Sequence, residues 1–286
     1  MHGELIRLKT RDNLELQGLL CEPSKKASKA IVNVHGWVGN FYENRFMDHI
    51  SEEAFGKNIA FFTFNNRGAG IITEFMRNNK REKIGGSLEL FEDCVFDLES
   101  AVDFLHERGY KEIILQGHSL ACQKIVYYMH TKKDKRVKGL VLLAPVDDVE
   151  VVTGKLYNNS VSRYNKSLKT ARNMKSEGKG QHPVPKWMQI YPCLSANMFI
   201  QISDPKSASG HIFDYSGDLT ELKTINIPVL AIFGSKDDYQ ENPADKLEIM
   251  KGINANKTIL MQESDHWFAG HEDELAKNVV GWVTKI

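Results

Sequence analysis

The chain has 286 residues, and 37 Lys plus Arg stand against 37 Asp plus Glu, so the formal net charge is zero. No overall field then draws it to nucleic acid or an anionic membrane, and its length suffices for one large domain, with or without an insertion. The four cysteines (Cys21, Cys94, Cys122, Cys193) are scattered with no CxxC pair. That spacing argues against a metal site and for reduced thiols, with Cys94 and Cys122 as small core residues. The first residues, 1–7, lack an apolar h-region, and no stretch approaches the roughly 18 to 20 apolar residues of a membrane span. The expectation is a soluble, cytoplasmic protein.

Residues 4–22 read as two strands around the polar turn Arg11-Asp12-Asn13, followed by a lysine- and serine-rich connector from Pro23 to Ala30. Residues 30–34 form a buried-type strand, with His35-Gly36-Trp37-Val38-Gly39-Asn40 as a glycine-punctuated loop behind it. A helix over 43–56 stops at Gly56-Lys57-Asn58, and residues 59–64 give the next strand. From Ser87 to Gly109 the apolar positions recur at helical spacing, which predicts one long amphipathic helix. Ile113-Ile114-Leu115-Gln116-Gly117-His118-Ser119 reads as a buried strand ending in a sharp turn, with a helix directly behind. Further strands fall at 137–145, 227–233 and 258–261, and a closing helix runs from Glu272 to Ile286. Continuous apolar strands alternating with helices indicate a mostly parallel sheet covered on both faces.

Residues 147–224 break that alternation. Tyr157, Val161, Tyr164, Leu168 and Ala171 fall on one helical stripe, while Arg163, Lys166, Lys169 and Arg172 lie off it. Between Val151 and Ile200 there are eight Lys or Arg and one acidic residue, Glu177. The expected organisation is a core of 1–146 and 225–286 with 147–224 as an inserted cap over the strand ends. Trp187, Met188 and Tyr191 are candidates for the wall of an apolar acyl pocket, and the basic rim for favouring substrates with a remote negative charge.

Strand, turn and helix give Gly117-His118-Ser119-Leu120-Ala121 the setting of a G-x-S-x-G nucleophile turn, with alanine in place of the last glycine. Ser119 is the candidate nucleophile. His266, in the loop after the last strand, is the candidate base, and His118 reads as a scaffold histidine. Asp237, three residues after Gly234, is the preferred acid; Asp238, Asp147 and Asp148 are alternatives, the last two also fitting a helix cap. Backbone N–H groups of Leu120 and Trp37 are candidates for the two oxyanion donors, with Gly36 allowing close approach.

With these residues together, the chain resembles the α/β-hydrolase superfamily over nearly its whole length, in the order Ser, acid, His. The stretches His35–Asn40 and Phe64-Asn65-Asn66-Arg67-Gly68 look like bacterial esterases of the cinnamoyl/feruloyl type and like relatives of fungal siderophore esterases. The resemblance implies an α/β-hydrolase fold and a serine esterase that cleaves small-molecule carboxylic esters, with no metal, organic cofactor or nucleic-acid partner. A thioesterase, a small-peptide hydrolase and a non-catalytic binding protein on the same scaffold stay open as alternatives, as do monomer and homodimer.

Overall fold

The computed structural model describes residues 3–23, 27–253 and 257–286, so the middle of the expected connector lies outside the described residues. The apolar runs become strands β3 (Lys29–Val34), β4 (Ala60–Phe64), β7 (Glu112–His118), β8 (Val137–Leu143), β9 (Val229–Gly234) and β10 (Lys257–Met261), which pair in parallel. Successive side chains enter opposite faces of the sheet. In β8, Leu140 and Leu142 join one apolar cluster, while Val141 and Leu143 join the other. Both faces are covered, so the strands need no polar alternation. At the other side β1 (Glu4–Lys9), β2 (Leu14–Cys21), β5 (Glu74–Arg77) and β6 (Lys80–Lys83) add antiparallel pairs. The order is β10-β9-β8-β7-β3-β4-β2-β5-β6, with β1 on β2, in one 10-stranded sheet.

Helices α1 (Phe46–Gly56) and α9 (Glu272–Val283) cover one face; α2 (Cys94–Glu107), α3 (Leu120–Lys132) and α8 (Pro243–Ile253) cover the other. Two helix ends differ from the sequence reading. The left-handed residue after α1 is Asn58, at φ 58°, with Gly56 still helical. The helix expected from Ser87 begins as a 3₁₀ turn at Phe91 and becomes α2 only at Cys94. Ser87 is held elsewhere: its N–H donates to Ile71 O, its carbonyl accepts from Ser195 N, and its hydroxyl donates to Pro192 O.

Between β8 and β9 the chain adds no strand to the sheet. It forms one turn, α4 (Asp148–Glu150), a π-helical turn (Val151–Leu156), then α5 (Val161–Ser176), α6 (Ala196–Ser203) and α7 (Thr220–Lys223). Leu168 and Ala171 of the expected stripe are buried, as is Tyr157, but Tyr157 precedes α5 and Val161 is 69% exposed. No helix among the described residues is long and apolar enough to cross a membrane.

Candidate active site

Parallel pairing brings the C-terminal ends of the strands to one edge. Val34 of β3 lies opposite Gly117 of β7, His118 opposite Leu143 of β8, and Gly234 of β9 opposite Met261 of β10. The loops that follow those strands carry His35–Trp37, Ser119, Asp237 and His266. Ligands of open α/β sheets bind at this edge.

Ser119 sits at φ 56°, ψ −129°, a conformation that an L-residue holds only when its surroundings enforce it. Its N–H donates to Leu143 O, and its carbonyl accepts from Cys122 N. A Cβ on Gly117 would come within 2.6 Å of the Ala121 backbone, so strand and helix can pass only if that side chain is absent. Ala121 itself is fully buried and is accommodated.

The loops after β9 and β10 are tied together. Ser235 N donates to Met261 O, Lys236 N to Ser264 O, and Glu263 N to Ser235 Oγ. This brings Asp237 to His266, whose Nδ1 lies 2.9 Å from Asp237 Oδ2 with both side chains buried. Asp237 also accepts from Tyr239 N at 2.9 Å and Gln240 Nε2 at 2.8 Å. Burial opposes its ionisation, but the bonds from His266, Gln240 and Tyr239 hold its carboxyl below the ordinary value. An ionised Asp237 can only accept, so in the neutral imidazole the proton sits on Nδ1 and the lone pair on Nε2.

Ser119 and His266 line one cavity of about 230 Å³. No hydrogen bond joins Ser119 to His266 or Asp237 in this structure. Trp37 and Leu120 line the same cavity, and neither backbone N–H donates to another group among the described residues. Trp37 is fixed by its indole, which donates to Gly86 O at 2.7 Å, and by an edge contact with Tyr191 at 4.8 Å.

His118 donates from Nε2 to the His266 carbonyl at 2.8 Å, since a carbonyl only accepts. Burial and the neighbouring His266 lower it to about 3, so it is a neutral support for the His266 loop. Asp147 caps α4 by accepting from Glu150 N, and exposed Asp238 pairs with Lys155. Neither approaches His266 as Asp237 does. Of the three pocket candidates, Tyr191 lines the cavity, whereas Met188 is buried in the core and Trp187 is 42% exposed with Lys166 over its ring. Of the basic side chains, Arg163 lies over Tyr157 and Arg172 pairs with Asp204, away from the cavity, whereas Lys155 stands over the ring of the wall residue Tyr239 at 3.5 Å. No Lys or Arg lines it; its carboxylates are Glu43 and Asp148. Burial, reinforced by Asp147, pushes Asp148 up to about 8, although Ser209 and Gln123 donate to its Oδ2. Asp148 is one of several wall residues, with Glu43, Tyr239 and Trp267, that sequence reasoning did not place there. Its signal was the Asp147-Asp148 pair directly after a buried strand.

The fold is the α/β-hydrolase fold. The sequence profile of a family described as "Protein of unknown function (DUF1749)" matches residues 86–277, and the chain belongs to that family. No match is found among curated proteins. Among solved structures, the chain is similar to DcsB in complex with its substrate analogue, at 15% identity, TM-score 0.71 and 99% of each chain. It is similar to Est1E from Butyrivibrio proteoclasticus with ferulic acid bound, at 14% identity, TM-score 0.66, 97% of this chain and 98% of that one. It is also similar to the carboxylesterase CesB from Bacillus subtilis, at 18% identity, TM-score 0.62, 100% of this chain and 93% of that one.

Proposed function

We propose that the protein is a serine hydrolase that cleaves carboxylic esters through an acyl-enzyme on Ser119. The observation that carries this reading is the buried Asp237–His266 hydrogen bond, set in the cavity that also receives the strained Ser119 turn. Rotation of the Ser119 side chain brings Oγ toward His266 Nε2; catalytic hydrogen bonds are often long before substrate binds. His266 then takes the hydroxyl proton as Oγ attacks the ester carbonyl. The tetrahedral oxyanion accepts from the N–H groups of Trp37 and Leu120. Collapse breaks the ester C–O bond, and the alcohol leaves with the proton from His266. Water, deprotonated by the same nitrogen, attacks the acyl-enzyme and releases the acid.

Residues 147–224 act in this reading as a cap on a core of 1–146 and 225–286. Val146, Val151, Leu156, Ile190 and Tyr191 supply an apolar wall for the acyl or alcohol group. With Glu43, an Asp148 whose carboxyl stays largely protonated, and no Lys or Arg in the lining, the cavity suits neutral esters better than the anionic ones expected from the basic residues. The test is hydrolysis of a p-nitrophenyl ester, a thioester and an anilide with one common acyl group, by wild type and Ser119→Ala. The ester should be turned over fastest and the variant should be inactive. Equal ester turnover by the folded variant would overturn the proposal.

A further inference from the structure

Beneath the His35–Trp37 turn runs a chain of buried polar groups that the reaction above does not use. Lys124, in the second turn of α3, is fully buried, and its ammonium donates to Glu89 Oε2 at 2.7 Å and to Asn66 Oδ1 at 3.0 Å. Asn66, also buried, continues the chain. Its side-chain amide donates to His35 O at 3.2 Å, and its backbone N–H donates to His35 Nε2 at 3.1 Å. Because Nε2 accepts, the His35 proton lies on Nδ1, which donates to Gly36 O at 2.9 Å. Burial, then the Lys124 charge, lowers His35 to about 3, so ring and tautomer stay fixed at working pH.

A buried ion pair is weak evidence for stability, because desolvation offsets much of its attraction. The ends of this chain are more informative. One end is α3, which begins at Leu120 directly behind Ser119. The other is the Gly36 turn, whose next N–H is that of Trp37. A Cβ on Gly36 would lie 3.0 Å from His118 O and 3.2 Å from Ser119 Cβ, so this turn is packed against the nucleophile. An oxyanion donor works only when aimed in advance at the place where charge develops.

We propose that Lys124, Asn66 and His35 are positioning residues that aim the Trp37 N–H at the reacting carbonyl by tying its turn to the nucleophile's own helix. This rests on Ser119 being the nucleophile. The Glu89 carboxylate anchors the Lys124 end, and the two proposed oxyanion donors, Leu120 on α3 and Trp37 on the turn, thereby keep a fixed separation. A shift of the turn by about 1 Å is enough to lower turnover on the order of a hundredfold.

Two variants test it. Asn66→Asp keeps the oxygen that accepts from Lys124 and Gly68 N but removes the donor to His35 O. Lys124→Met with Glu89→Gln removes both charges together, so no buried ion is left unpaired, and serves if Asn66→Asp does not fold. Turnover is measured per active site, titrated with a fluorophosphonate, on a p-nitrophenyl ester. We expect kcat to fall about ten- to a hundredfold with KM nearly unchanged. Affinity for phenylboronic acid, which forms a tetrahedral adduct with an active serine, should fall in parallel. The pH profile should keep its shape because His266 is untouched. A folded variant with a lower Tm but wild-type kcat and boronate affinity would make the network structural only and overturn the proposal. Wild type that neither hydrolyses the ester nor reacts with the fluorophosphonate would instead defeat the hydrolase reading, and this one with it.

Discussion

The C-terminal edge of the sheet and the long β8–β9 connection meet at the same cavity but are built differently. At the sheet edge, the loops leave strands that end in buried residues, and backbone bonds tie them to neighbouring strands and loops, as Ser119 N is by Leu143 O and Lys236 N by Ser264 O. In the connection, a few backbone bonds such as Ser195 N to Ser87 O are joined by many side-chain ones: Ser160 and Ser195 cap α5 and α6, Arg172 pairs with Asp204, and Tyr164 donates to Ser203 O. The sheet edge thus draws its geometry from the strands, and the connection draws much of its own from side chains. That division suits reaction chemistry on the first and substrate selection on the second.

The sharpest way to break this comparison is at the acid. Asp237→Asn should fold normally and lower kcat about 10⁴-fold, as the loss of the orienting carboxylate does in other triads. Asp147→Asn and Asp238→Asn, measured beside it, should stay near wild type. A large loss at Asp147 would move the acid to the start of the connection. Next in size is packing. Gly117→Ala puts a methyl within 2.6 Å of the Ala121 backbone and should cost about 1–3 kcal/mol, read from denaturant unfolding. Gly154→Ala in the connection, whose Cβ would meet nothing closer than 3.8 Å, should stay within about 0.5 kcal/mol.

Smaller effects sharpen the selective role of the connection. Tyr191→Ala should change the preference between a bulky and an acetyl ester by about tenfold, the scale of altered contacts in an apolar pocket. Trp187→Ala should leave that ratio alone; the same shift in both variants would make the wall general packing. The smallest effect lies at Asp148. In the native protein it holds its proton up to about pH 8, whereas the unfolded chain releases it near 3.8. Folding therefore takes up a proton between those values, and this carboxyl lowers stability as pH rises through the window. The Tm advantage of Asp148→Asn over wild type should grow from pH 5 to pH 8. A constant difference would mean that Asp148 is ionised throughout.

The two regions were unequally legible in the sequence. Strands buried on both faces appear as unbroken apolar runs, so β3, β7, β8 and β9 could be read directly, and with them the strand ends that hold Ser119 and Asp237; the shorter run Ile259-Leu260-Met261 marked the edge strand β10 before His266. The β5–β6 hairpin escaped because β6, Lys80-Arg81-Glu82-Lys83, is a charged edge strand with no apolar pattern. Helical spacing placed Val161 on the buried stripe of α5, but the helix starts there and leaves it in solvent. Trp187, Met188 and Tyr191 are clustered in sequence, yet of these three the irregular stretch turns Tyr191 alone to the cavity, beside Ile190. Periodicity carries no information where backbone geometry is irregular.

The proposed reaction begins at Ser119. Folded wild type should be treated with a fluorophosphonate and mapped by peptide mass spectrometry. A single adduct is expected, on Ser119, forming far more slowly in His266→Ala. An adduct on another serine, or none at all, would contradict it.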